Sequence, residues 1–388
     1  MRRRSFLLAP LAPLLLTRAR AAGTQPNVLL VIASDWRGQA VPWVTDSEFT
    51  APNLAAFGRE STTFTRTYAG YPRLIPGRRI LLDGRFAHTD VLPEVTLDEL
   101  SVGARLKAAG YRASRFGDDE VEDLIKFIRQ DADSTSPAPF YAEWTIEWTK
   151  SYHRGTALME RPPAEAVHLR ANVPEKSEAE ARGDLADFYA RAGLRDRNCG
   201  DVLASLDTRD LRENTLVVFT ADRGELFGSH GFTGDDSFYE ECVRIPLAMR
   251  HPRLEPGSQR DMLVSQADIA PTVLGLCGVP VPEQMQGRDL TPLLTRSEGE
   301  IADAVFAEGR MSEPEEWRML IHGYYKLVTN ASATPTHMFN LQKDPYELTD
   351  LANVSSEALN RDVMVALLQL WRNKLSDGRD ASGLRRRR

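Results

Sequence analysis

Two short runs of continuous apolar and largely β-branched sequence stand out along the chain, Val28 to Ala33 and Thr215 to Thr220. Apolar residues at every position, rather than at alternate ones, predict parallel strands buried on both faces. Each run is followed closely by an aspartate, Asp35 and Asp222. Phe140 to Ile146 reads as a further strand, and apolar positions recur at helical spacing over Leu97–Ala109, Asp119–Arg129, Leu185–Leu206 and Gln266–Leu276. Strands alternating with helices over this length predict an α/β fold, a mostly parallel central sheet with helices on both faces. Working residues of such sheets gather at the carboxyl ends of the strands, where both aspartates fall. An aspartate in that place serves equally as a turn or helix cap.

The pattern changes after Pro280. A stretch rich in Pro, Gly and polar residues runs to Thr295 and reads as a connector. Beyond it, Ala304–Glu308, Met319–Ile321, Tyr324–Thr329 and His337–Leu341 are short strand-like segments. Ser356–Leu375 is then amphipathic, with Leu359, Val363, Val365, Leu367, Leu368, Leu370 and Trp371 as its apolar positions. A small C-terminal antiparallel sheet carrying one helix is the simplest reading. The expected division is a leader over 1–22, a core domain over 23–295, a subdomain over 296–378 and a flexible basic tail over 379–388.

The leader has its own logic. Arg2, Arg3 and Arg4 precede an apolar run from Phe6 to Leu16, followed by Ala19-Arg20-Ala21. That order is the pattern of an export signal, of the twin-arginine kind, and its apolar run is too short to span a bilayer. The protein is therefore expected in a bacterial periplasm or outside the cell, and not as an integral membrane protein. Without the five arginines of residues 1–21 the formal charge moves from −7 to −12, which argues against nucleic acid as a partner. The three cysteines, Cys199, Cys242 and Cys277, show no metal-type spacing and read as small buried hydrophobes, with one disulfide open to them after export.

Several segments together resemble the sulfatase family. They are Pro26 to Leu30, Ala51-Pro52-Asn53-Leu54, Phe64 to Tyr68, Pro76-Gly77-Arg78 with Leu82 to Arg85, Phe219 to Glu225, Tyr239-Glu240-Glu241, Arg244 to Leu247, Asp268 to Leu274, Gln286 to Leu290 and Phe339 to Leu348. The resemblance implies an alkaline-phosphatase-like fold, a calcium-centred pocket and hydrolysis of sulfuric esters, with a sulfated or anionic small molecule or glycan as partner if the chain is active. It also implies a nucleophile made from cysteine by conversion to formylglycine, acidic calcium ligands, and lysines, histidines and an arginine around the sulfate.

Against that pattern the chain departs at most positions. The family's Cys-x-Pro-Ser-Arg is Leu74-Ile75-Pro76-Gly77-Arg78, so no formylglycine is expected and Leu74 is read as a core-filling residue. A leucine side chain has no lone pair with which to attack sulfur. Arg78 is retained from the motif. The double aspartate after the first strand is Ser34-Asp35, and the second metal pair is Asp222-Arg223. A guanidinium cannot ligate calcium, which ordinarily takes 6–8 oxygens. Asp35 and Asp222 remain as metal candidates, with Arg223 filling the cation's place as the competing arrangement. The family's two lysines fall at Asp118 and Asp235, and the Pro-His pair after Ile146 is replaced by Glu147-Trp148-Thr149-Lys150, with His153 a weak substitute. Three functions follow as expectations. One is a catalytically degenerate sulfatase homologue. Another is a hydrolase of sulfate or phosphate esters using a metal-activated water. The last is an acidic pocket for a cation, built from Asp118, Asp119, Asp235 and Asp236.

Overall fold

A computed structural model describes residues 25–44, 51–89, 100–130, 138–147, 161–207 and 211–375. The leader, the basic tail, Lys150 and His153 lie outside the described residues. The first sheet is built from β1 (Asn27–Ala33), β2 (Thr62–Tyr68), β3 (Arg112–Phe116), β4 (Phe140–Ile146), β5 (Thr215–Thr220), β6 (Arg244–Arg250) and β7 (Gln259–Ser265). Its order is β3-β4-β1-β5-β6-β2-β7. β1 pairs in parallel with β4 and β5, while β6 alone runs antiparallel to its neighbours β5 and β2.

The continuous apolar run of β1 has a direct cause. Leu29 and Val31 enter one core cluster with Trp36, Phe188 and Phe219, and Val28, Leu30 and Ile32 enter another with Leu247 and Leu274. Both faces are covered, so every position is driven inward, at about 1.5–3 kcal/mol for each large aliphatic side chain. The covering helices are α1 (Pro52–Arg59), α2 (Leu74–Asp83), α3 (Val102–Ala108), α4 (Val121–Arg129), α5 (Glu178–Ser205), α6 (Glu240–Val243), α7 (Ile269–Leu276) and α8 (Thr291–Arg296). Among the described residues no helix is long and apolar enough to cross a membrane.

The C-terminal part matches its expected pattern. β8 (Ala304–Gly309), β9 (Trp317–His322), β10 (Tyr325–Asn330) and β11 (Pro335–Asn340) form an antiparallel sheet in the order β11-β10-β9-β8. α9 (Ala358–Lys374) lies on it and buries Met364 and Leu368. Three positions taken from periodicity as apolar, Leu359, Val363 and Leu370, are instead exposed. Lys326 of β10 is fully buried between Glu240 (3.2 Å) and Glu347 (2.7 Å), joining this sheet to α6. A second tie runs through His88, whose Nδ1 meets Glu308 of β8 at 2.9 Å and whose Nε2 meets the carbonyl of Leu375 at 2.9 Å.

Of the seven described strands of the first sheet the sequence reading assigned three, β1, β4 and β5, and it left β2, β3, β6 and β7 unassigned. α5 begins at Glu178, well before Leu185, because its first turns are polar outside and bury only Ala181. β3 sits at the sheet edge and its Arg-Ala-Ser-Arg-Phe sequence is only partly buried, so it lacks the apolar signature of the central strands. The three cysteines are buried and free, with no disulfide among them.

Candidate active site

β1 and β5 are adjacent and parallel, so the residues that follow them leave the sheet side by side. After β1 the chain turns through Ser34 and Asp35, and Asp35 takes a left-handed conformation (φ 60°) that aspartate tolerates better than most residues. After β5 come Asp222 and Arg223. Gly224 follows because a Cβ there would lie 2.0 Å from the Glu241 carbonyl oxygen. α2 brings Arg78 into the same space.

Asp222 is wholly buried and fully engaged. Its Oδ2 accepts hydrogen bonds from Ser34 Oγ at 2.7 Å and from Arg78 at 3.1 Å, and its Oδ1 accepts from Arg223 at 3.2 Å. Arg78 also donates to Ser34 Oγ at 3.0 Å and to Glu147 at 3.1 Å. Arg223 lies 2.6 Å from Asp35 and contacts Asp235 as well. Burial works against the charge of Arg223, but Asp222, Asp35 and Asp235 outweigh it and raise its pKa. One guanidinium faces more than one carboxylate, and the balance shows at Asp35. Burial pushes that carboxyl up to about 8 against the pull of Arg223, with Asp222, Glu225 and Asp235 adding to the rise.

This donor set does not fit a calcium ion. Calcium takes 6–8 oxygens, and the carboxylates here converge on a guanidinium that offers no lone pair. Ser34, read from sequence as a lost carboxylate, spends its hydroxyl proton on Asp222.

Leu74 opens the first turn of α2 and is half-buried rather than core-filling, because it stands at the outer end of that helix between half-buried Arg73 and exposed Ile75, before the buried positions begin at Gly77. Gly77 has a stronger reason than sequence disclosed. A Cβ at that position would lie 2.6 Å from the Tyr71 carbonyl oxygen and 2.9 Å from that of Asp222, closer than real Cβ atoms come to backbone. The serine of the family motif has no room here.

The acidic substitutions each meet an arginine, except one. Asp118 contacts Arg195 of α5, Asp235 contacts Arg223, and Asp236 accepts from Arg73 at 2.8 Å with Arg310 at 3.4 Å. Asp119 is exposed in its loop. Three of the four acids are therefore held in separate ion pairs.

A second buried cluster lies at α6. Donor atoms of His230, Glu241 and Glu347 all fall within 4.8 Å of one another, a grouping able in principle to hold a metal ion. Protein groups already engage these donors. Glu241 pairs with Arg170 at 2.6 Å and accepts from Asn172 at 2.9 Å, while Glu347 pairs with Lys326 and accepts the Glu240 N–H at 2.7 Å. Sequence reading quoted Glu240 and Glu241 but could not find their partners, which lie about 70 to more than 100 residues away. Burial opposes the charge of Glu241, yet Arg170 and Arg37 overcome it and hold the carboxyl at about 2. A folded pKa below the ordinary value stabilises the protein above pH 4.5, and that contribution disappears as pH falls from about 4.5 to 2, on the order of 3 kcal/mol. Urea midpoints measured from pH 6 to pH 3 should therefore fall more steeply in the parent protein than in Glu241→Gln. Parallel curves would mean that Glu241 is not the group responsible.

Known proteins carry the same order of parts. The model of the sulfatase family matches residues 148–279, and that of the C-terminal part of N-sulphoglucosamine sulphohydrolase matches residues 228–374. Together they span more than half of the chain. An ulvan-active sulfatase of Formosa agariphila is 25% identical over 84% of this chain and 77% of its own length. Arylsulfatase K of Xenopus laevis is 34% identical over 45% of this chain, but only 35% of that protein is covered. Among solved structures, a protein in complex with its substrate D-glucosamine-2-N,6-O-disulfate superposes with a TM-score of 0.78 at 18% identity, covering 92% of this chain and 99% of the other. The phosphonate monoester hydrolase of Agrobacterium radiobacter gives 0.72 at 19%, over 90% and 96%. At such identities the likeness is one of fold, and the two sequence models with the Formosa relative carry it further. The chain belongs to the sulfatase family.

Proposed function

We propose that this protein is a catalytically degenerate sulfatase-family member, exported and retained for binding rather than hydrolysis. The observation that carries the reading is the place of Arg223, whose guanidinium stands among Asp35, Asp222 and Asp235 where the family's cation would be. Leu74, at the position of the nucleophile, adds a side chain without a reactive atom. The two lysine positions, Asp118 and Asp235, carry the sign that repels a sulfate rather than the one that draws it. A hydrolase working through a metal-activated water would need Asp35 and Asp222 free, and both are held by arginine. A sulfated glycan, as the relatives' names describe, is the partner class from which such a cleft descends.

The purified protein is expected to give no turnover of a chromogenic aryl sulfate or aryl phosphate with calcium, manganese or chelator. Turnover that vanishes in Asp222→Ala would overturn the degenerate reading and establish hydrolysis by other residues.

A further inference from the structure

β2 is irregular between Phe64 and Thr67, where its register shifts against both β6 and β7. Successive residues of a regular strand point to opposite faces, and such a shift lets two of them share one. Thr65 and Arg66 accordingly both line a pocket of about 300 Å³, together with Arg244 of β6, Asp261 of β7 and Tyr324 of the turn between β9 and β10. None of its lining residues belongs to the cluster around Asp35, Asp222 and Arg223.

Arg66 and Arg244 are half-buried, and among the described residues neither has a carboxylate partner. Neutral groups hold them instead. Arg66 donates to the Gly323 carbonyl and lies 4.3 Å from the centre of the Tyr324 ring, and Arg244 Nε donates to the Thr65 carbonyl at 2.8 Å. Both guanidinium groups are thereby oriented while N–H donors remain on each. The acids of the pocket are engaged by other groups. Glu240 pairs with Lys326 at 3.2 Å, while Asp261 accepts the hydroxyls of Thr65 at 2.7 Å and Tyr324 at 3.0 Å, one on each oxygen. Each Asp261 oxygen keeps a lone pair for another donor. An oxyanion shared by two unpaired arginines offsets their like charge and gains charge-assisted hydrogen bonds. Inorganic phosphate at neutral pH presents ionised oxygens to the guanidinium groups and an O–H to Asp261, whereas sulfate presents acceptors alone. We propose that this pocket is a second anion site, separate from the candidate active site, and that it binds inorganic phosphate.

The test is calorimetric titration of the full chain with inorganic phosphate at pH 7 and constant ionic strength, with sulfate in parallel. Saturable binding of phosphate in the millimolar range or tighter is expected, about tenfold tighter than that of sulfate. Arg66→Gln and Arg244→Gln are each expected to weaken phosphate binding about fivefold or more, with circular dichroism confirming that the variants are folded. Asp261→Asn, at an exposed position, keeps both arginines and is expected to bring the two affinities closer together, because the like charge that disfavours sulfate is gone. The proposal is overturned by absence of saturable phosphate binding to the folded parent protein, by equal or tighter binding of sulfate, by phosphate binding unchanged in the arginine variants, or by a preference for phosphate unchanged in Asp261→Asn.

Discussion

Replacing Arg223 with methionine is expected to destabilise the protein by about 3–5 kcal/mol, the usual cost of removing one partner from a buried ion pair. The size follows from how many acids depend on that one side chain. Asp222 is fully buried, Asp35 is nearly so, and Asp235 meets the same guanidinium. Methionine has similar volume, so packing is largely kept while the charge is lost. Arg78 still reaches Asp222 at 3.1 Å, so the loss should fall mainly on Asp35 and Asp235. Urea denaturation at pH 9, above the value of about 8 to which burial pushes Asp35, reads the cost with that carboxylate charged in the parent protein. Adding Asp35→Asn to Arg223→Met should restore part of it, because one of the stranded carboxylates is then gone. A loss below about 1 kcal/mol would mean that the carboxylates are neutralised in another way. In Arg223→Asn, which offers an oxygen where the guanidinium stood, millimolar calcium should raise the urea midpoint more than it does in the parent protein.

Rebuilding the nucleophile motif should fail for a reason that lies in the backbone. Leu74→Cys alone is expected to be nearly neutral for stability, since Leu74 is half-buried at a helix start. Gly77→Ser is expected to cost about 2–4 kcal/mol, as overpacking against atoms that cannot rotate away does. The clashing atoms are the carbonyl oxygens of Tyr71 and Asp222, so the first turn of α2 and the end of β5 would have to separate. That movement also disturbs Arg78 and Asp222. Thermal unfolding of both single variants and the double variant checks the order, and an aryl sulfate assay of the double variant should show no turnover. A stable Gly77→Ser protein would show that α2 can shift, and the cleft would then be open to stepwise restoration.

Much of the fold was legible because its physics is local. The runs at Val28–Ala33 and Thr215–Thr220 are apolar throughout since both faces of β1 and β5 are covered. The C-terminal strands and α9 were found from short apolar segments and helical spacing. β3 was missed because an edge strand with two arginines carries no burial signal. α9 showed the converse difficulty, in that Leu359, Val363 and Leu370 share its helical pattern and yet remain exposed. Periodicity reports that a face is apolar, not that another element covers it.

The site divides along the same line. Residue types by themselves determined that Leu74 cannot be a nucleophile and that Arg223 cannot ligate a metal, because these follow from which atoms carry lone pairs. Order along the chain was enough to recognise the family. Only the tertiary structure decided that Arg223 stands among Asp35, Asp222 and Asp235, that Asp118 is answered by Arg195, and that Gly77 leaves no space for a side chain. Each of these includes a meeting of segments far apart in the chain, Asp35 with Arg223, Asp118 with Arg195 and Gly77 with Asp222. Their energies depend on distance and burial, and neither quantity exists until the sheet has brought those segments together.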